Sequence, residues 1–444
     1  MELFIKILMF MTSLSLLVLI HELGHFLTAK MFGVRVEKFY LFFNPWFSLV
    51  KFRIGETEFG IGWVPFGGYC KISGMIDESM DLEQMKEPPK DYEFRSKPAW
   101  QRLLIMTGGV IMNVVLAVVI YIGMSYKWGD TYIANDDLKY GYAFSALGHE
   151  AGFRNGDRIL TVGGVKVDDS GAMLKTIVFD SAPVEVLRGS QVLTLTIAPE
   201  IVARILNSED RFMSPRMPFV IAETVKETGA AEAGVLPGDS LVAVNGQEMF
   251  FYDEFQKTFA TQKGQTVKLT VARDSSGVTV QRTLPVQISE DGTLGVYAYN
   301  SSRFMPVSTR QYTFFQSFPA GFRKAGNEIS DYWKQLKLIF TPKTEAYKSL
   351  GGFMSIGSIF PGTWDWYDFW RITAFLSIVL AIMNILPIPA LDGGHVLFLL
   401  WEVVTGRKPS DKFMEYAQMV GLLLLFALLI YANGNDIYRF FFKN

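Results

Sequence analysis

Four stretches of this 444-residue chain are apolar for long enough to cross a lipid bilayer, and a chain that must bury such stretches has few folds open to it. The first runs from Leu3 to Ala29, interrupted by Lys6, a few hydroxyls and His21-Glu22-Leu23-Gly24-His25. As a helix of roughly 27 residues it is about 40 Å long, enough to span. A lysine before an apolar run also fits a secretory signal, but no small-x-small cleavage site follows. The others run from about Leu103 to Tyr126, Phe369 to Leu386 and Ala417 to Tyr431. The third is broken by Pro387 and Pro389, which is tolerated at membrane depth where the backbone is buried or lines a cavity. Composition agrees: 50% of the residues are hydrophobic and 19% charged, against about 25% charged in a soluble domain. A net charge of -2 excludes a strongly basic nucleic-acid binder.

Between the first two runs, residues 34–75 read as β-hairpins. Val34–Phe43, Phe47–Ile54 and Glu58–Val64 are rich in aromatic and β-branched residues, with turn signals at Asn44-Pro45, Gly55, Pro65 and Gly67-Gly68. Residues 76–98 read as a polar loop. From about 127 to 300 no long apolar run occurs, and a repeat appears at an offset of 82 residues: Ala151-Gly152 through Gly156-Asp157 parallels Ala233-Gly234 through Gly238-Asp239. Both copies resemble PDZ domains of the circularly permuted bacterial type. Residues from about 308 to 341 read as an amphipathic helix.

The chemistry is concentrated in few residues. Cys70 is the single cysteine, so no intrachain disulfide forms, and its reading is a packed side chain. Of four histidines, His21 and His25 stand at i and i+4 around Glu22, so on a helix both imidazoles reach one metal ion and Glu22 lies beside it. Zinc held so makes hydroxide available near neutral pH, with Glu22 to take the proton. A catalytic zinc wants a third protein ligand. His149 lies in the repeat region and reads as a surface residue. His395 and Asp392, in Asn384-Ile385-Leu386-Pro387-Ile388-Pro389-Ala390-Leu391-Asp392-Gly393-Gly394-His395, are both able to serve by side-chain chemistry.

His-Glu-x-x-His in the first run, with Asn-x-x-Pro-x-Pro-x-Leu-Asp-Gly ending the third, resembles the site-2 protease family of intramembrane zinc metalloproteases, as does the stretch from Phe94-x-x-Lys97-Pro98-x-x-x-Arg102 to Asn113. The resemblance covers essentially the whole chain. It implies an α-helical membrane protein with four transmembrane helices, a membrane-associated β-hairpin region and two β-rich PDZ domains. It implies His21, His25 and Asp392 as ligands of Zn2+, Glu22 as general base and proton donor, and Asn384 as a holder of the substrate backbone. His395 then packs nearby without ligating. Two departures are local: the family's Gly-Pro pairs stand here as Gly109-Val110 and Gly352-Phe353. The expected division is 1–126 and 351–444 for the two halves of the protease core, 127–210 and 211–300 for the PDZ domains, and 301–350 for a helical connector.

A peptide bond inside a helix is shielded, so the substrate must unwind, and its freed backbone groups need partners in an apolar setting. An edge strand supplies them, and the hairpins around Gly67, Gly68 and Tyr69 stand close in sequence to the metal motif. The implied substrates are single-span membrane proteins, such as anti-sigma factors or signal-peptide remnants, cut in regulated intramembrane proteolysis as part of a stress response. The expected partners are these and membrane lipid, with no nucleic acid, and the enzyme is expected to be monomeric. Lysines and arginines in the loop 30–102, 11 in all, and at Arg407, Lys408 and Lys412 put those loops in the cytoplasm, and the resemblance implies that the membrane is a bacterial inner (cytoplasmic) one. The PDZ domains are then periplasmic and the zinc site lies towards the cytoplasm. A PDZ scaffold with a merely structural metal has no need of Glu22. A transporter would show polar residues spread through paired helical repeats.

Overall fold

A computed structural model describes the chain apart from residues 76–87, 167–172, 174–175, 178–181, 209–210, 276, 301–302, 340–349 and 443–444. Most of the expected polar loop at 76–98 and the end of the connector therefore lie outside the described residues. The chain divides into two compact units: one comprises 1–130, 311–337 and 347–444, the other 131–310 with 338–346.

The first unit is helical. Its four helices long and apolar enough to cross a membrane cover Glu2–Met31, Ala99–Trp128, Trp366–Ile385 and Lys412–Arg439. They are labelled here α1 (Glu2–Met31), α2 (Ala99–Trp128), α4 (Trp366–Ile385) and α6 (Asp411–Phe442); between them stand α3 (Phe314–Ile339) and α5 (Asp392–Thr405). The Asp365 carboxylate opens α4 by accepting from the Asp368 N–H at 2.8 Å, and α4 stops before Pro387, which could not continue it. The third run was not expected to turn back into a further helix. α5 does so, and at 14 residues it is too short to span.

α1 and α2 cross at glycine. A Cβ on Gly24 would collide with the Gly108 carbonyl, and one on Gly108 would stand 2.6 Å from the Thr28 hydroxyl. Small residues let two backbones approach where no hydrophobic force distinguishes protein from lipid. α4 closes on the same pair through polar contacts: Thr373 donates to the Ser13 hydroxyl at 2.9 Å and Ser377 to the Asn113 carbonyl at 2.7 Å.

The β region is one four-stranded sheet in the order β2-β3-β1-β4, with β1 at Val36–Phe43, β2 at Val50–Ile54, β3 at Thr57–Ile61 and β4 at Val64–Ile72. It corrects the sequence reading twice. β1 and β3 run parallel, so only β2–β3 is a simple hairpin, turning at Gly55. The turn signals Pro65 and Gly67-Gly68 lie inside β4, which is the outer strand of the sheet among the described residues, where proline is tolerated.

The second unit holds two β-rich halves with a shared device. In the first, the Asp157 carboxylate is buried, accepts from the Arg154 N–H at 2.9 Å and pairs with Arg188 at 2.7 Å, whose guanidinium also donates to the Gly152 carbonyl. In the second, Asp239 does the same with the Leu236 N–H at 2.9 Å, Arg273 at 2.7 Å and the Gly234 carbonyl. The repeated Gly-Asp is therefore the anchor of each half. The first half reaches past residue 210, because Met213–Pro215 pairs with Tyr142–Phe144. The halves meet where Arg216 pairs with Asp253 at 3.1 Å and with Glu254 at 2.8 Å. Burial works against the charge on Glu254, but the Phe250 and Phe251 N–H groups and Arg216 prevail and hold its carboxyl below the ordinary range.

Removing one partner of a buried ion pair leaves the other uncompensated. Asp239→Ala is therefore expected to destabilise the second unit by about 3 kcal/mol, read as a lowered thermal midpoint of the full chain in detergent; an unchanged midpoint would show that the anchor carries no stability.

Candidate metal centre

The centre starts from helical spacing. His21 and His25 face α2 and α5 from one side of α1, and both are buried. Asp392, the first residue of α5, turns towards them because the chain reverses through Pro387, Pro389 and Ala390, the last at a φ of 83°. The Asp392 Oδ2 lies 3.1 Å from His21 Nε2 and 3.2 Å from His25 Nε2, and the two Nε2 atoms lie 3.3 Å apart. Among the described residues this is the one group of three His, Cys, Asp or Glu side chains close enough to share an ion.

The triangle fits a metal better than it fits itself. The Asp392 Oδ2 is buried and accepts no aligned hydrogen bond, although two imidazole nitrogens stand within reach. A buried acceptor left so is costly. A tetrahedral zinc with ligands at about 2.0–2.1 Å sets neighbouring ligand atoms about 3.3–3.4 Å apart, close to the distances here. Glycine makes the room: a Cβ on Gly109 of α2 would stand 2.5 Å from His25 Nε2 and 2.6 Å from His21 Cε1.

The far ring nitrogens are held as well. His25 Nδ1 lies 2.9 Å from the Ile105 carbonyl, which can only accept, so Nδ1 carries the proton and Nε2 presents its lone pair. His21 Nδ1 lies 3.2 Å from the Asn113 amide nitrogen, while Asn113 Oδ1 is buried with no hydrogen-bond partner among the described residues. Turning that amide over gives His21 Nδ1–H its acceptor and leaves Nε2 free for a cation. The sequence reading quoted Gly109 and Asn113 without giving either a role. The available signal was a carboxamide inside an apolar run; the Ile105 carbonyl leaves no signal in a sequence.

The remaining expected residues line the same cavity, of about 630 Å³. Glu22 borders it beside the triangle, facing β4. Gly68 brings β4 against α1: a Cβ there would stand 2.8 Å from a Val18 methyl carbon and 3.4 Å from Glu22 Cγ. Gly67, at a φ of 147°, and Tyr69 continue this wall. The Tyr69 ring stacks on Tyr40 at 5.2 Å, and its hydroxyl donates to Asn44 at 2.9 Å. The Tyr40 hydroxyl donates to Glu58 at 2.6 Å and so holds that carboxyl below its ordinary range. Asn384, at the end of α4, puts its amide nitrogen 3.4 Å from His21 Nε2. His395 also lines the cavity, outside the triangle. His149 lies in the second unit, where Nδ1 is 3.1 Å from the Phe153 carbonyl. Sequence reading missed Gln418 of α6, which lines the cavity too.

The family model described as Peptidase family M50 matches residues 9–428. Relatives are similar over nearly their whole length. A protein of Clostridium perfringens named provisionally as a zinc metalloprotease is 25% identical, over 96% of this chain and 96% of its own. The protease RseP of Yersinia pestis is 26% identical, over 97% and 98%. The regulator of sigma-E protease RseP of Salmonella typhimurium is 25% identical, over 97% and 98%.

Gly109→Ala is expected to cost most of the bound metal, measured by elemental analysis of purified protein, whereas Gly123→Ala in the same helix, where a Cβ meets nothing within 4 Å, keeps it. Asn113→Leu is expected to weaken metal affinity about 10–100-fold in chelator competition; wild-type affinity would remove Asn113 from the centre.

Proposed function

Because the chain belongs to peptidase family M50 and is a zinc metalloprotease, we propose that it cuts peptide bonds within the transmembrane segments of single-span membrane proteins, with His21, His25 and Asp392 holding the zinc. One observation carries the ligand assignment: a buried carboxylate oxygen accepts no aligned hydrogen bond while two imidazole nitrogens converge on it at 3.1 and 3.2 Å. Zinc bound there supplies a Lewis acid that polarises the scissile carbonyl and brings the pKa of water towards neutrality.

The chain's own groups do the rest. Glu22 takes the proton of the attacking water on its carboxylate and later delivers it to the nitrogen of the leaving amine. β4 packs beside that side chain at Gly68. The substrate arrives as a helix and must be cut as an extended chain, so it needs backbone partners away from water. The outer edge of β4, with Gly67, Gly68 and Tyr69, is suited to bind it by strand addition beside Glu22. Asn384 lies within reach of the same bound segment.

The finer reading follows the RseP relatives. The two β-rich halves of the second unit act as PDZ domains on the periplasmic side of a bacterial inner membrane, screening substrates by the bulk of their external domains. The zinc site faces the cytoplasm, the substrates are of the anti-sigma-factor or signal-peptide-remnant type, and the enzyme works as a monomer.

In detergent, cleavage of a truncated single-span reporter is expected to vanish in Glu22→Gln with zinc retained. Asp392→Ala should lose both cleavage and zinc, while His395→Ala keeps zinc. Retention of zinc by Asp392→Ala with its loss from His395→Ala would overturn the ligand set.

A further inference from the structure

α6 carries a polar side chain that its packing does not explain. Between Met419 and Ile430 the helix is wholly apolar, and Leu423, Leu424, Phe426 and Ile430 are exposed. It is pinned at separate points. Phe413 meets Phe398 with ring centroids 5.8 Å apart, and Asp436 accepts from the Gly352 and Ser355 N–H groups at 2.9 Å each. Between them Gly421 lies against the Pro389 carbonyl so closely that a Cβ would collide with it. Pro389 belongs to the segment joining Asn384 to Asp392, so this contact brings α6 beside the metal centre. Gln418 stands three residues before Gly421, on the same helix face, and lines the cavity that holds Glu22 and β4. Its carboxamide is half-buried and forms no hydrogen bond among the described residues. With no partner among the described residues, its carboxamide is open to a ligand in the cavity, and polar groups in membrane spans are retained for function.

An extended peptide shows what it could bond. Successive residues point their N–H and C=O groups to opposite edges of the strand. β4 can satisfy only one edge of a substrate laid beside it, and the other edge still needs both donors and acceptors. A carboxamide offers one of each, matching the N–H and C=O of a single residue. We propose that Gln418 binds the substrate backbone on the edge that β4 leaves open. This rests on the reading of the cavity as the proteolytic site.

Two measurements test it. Gln418→Met, similar in volume, is expected to lower kcat/KM on the single-span reporter about ten-fold, with zinc content and thermal midpoint at wild-type values. A photoreactive residue at position 418 in the Glu22→Gln protein is expected to crosslink to the reporter's span, while one at the exposed position 423 does not. Wild-type kcat/KM in Gln418→Met, or crosslinking at 418 no stronger than at 423, would overturn the role of Gln418. Full cleavage by Glu22→Gln would instead remove the reading of the cavity itself, whatever position 418 did.

Discussion

Two imidazoles and a carboxylate, 371 positions apart in the chain, meet within about one bond's reach of a common point, and the membrane half of the protein is arranged around that meeting. Bringing three lone-pair donors together in an apolar setting is unfavourable unless a cation joins them. The helices allow it through glycine. Gly24 and Gly108 let α1 and α2 touch along their backbones, and Gly109 leaves the volume beside the rings open. The third donor depends on a break. α4 ends at Ile385, the chain turns through two prolines, and α5 begins with Asp392 facing back towards α1.

The same reasoning gives the sheet its place. Gly68 permits β4 to lie against α1 and against the Glu22 side chain. The strand that flanks the centre thus also borders the proposed base. Pro65, Gly67 and Gly68 would weaken a central strand. On the outer strand they interrupt no pairing with a further strand among the described residues, and there β4 lines the cavity that holds the metal triangle.

The second unit solves a different problem, holding two small β-rich bodies together without long apolar helices. Each is anchored by a buried aspartate whose carboxylate ties an N–H of its own turn to an arginine on the neighbouring strand of the sheet. Arg216 links the halves through Asp253 and Glu254 and lies 3.8 Å above the Phe251 ring. The repetition of this device at an offset of 82 residues explains why glycine and aspartate, among many surface changes, mark both copies.

What the sequence determined by itself is whatever depends on local spacing. The length of four apolar runs fixes the spans, the i, i+4 interval puts His21 and His25 on one face with Glu22 beside them, and the repeated Gly-Asp marks two like bodies. The β region was legible as β structure but not in its pairing, because the parallel contact of β1 with β3 joins strands that follow no turn rule. Side-chain chemistry left Asp392 and His395 equal, and the family motif pointed to Asp392; the packing of α5 is what brings Asp392, and not His395, to the imidazoles. Only the tertiary structure gave roles to Gly109, Asn113 and Gln418, whose parts lie in what stands across from them. Periodicity reports which side of an element a residue occupies. It carries no information about which other element will face that side, and that choice belongs to packing over the whole chain.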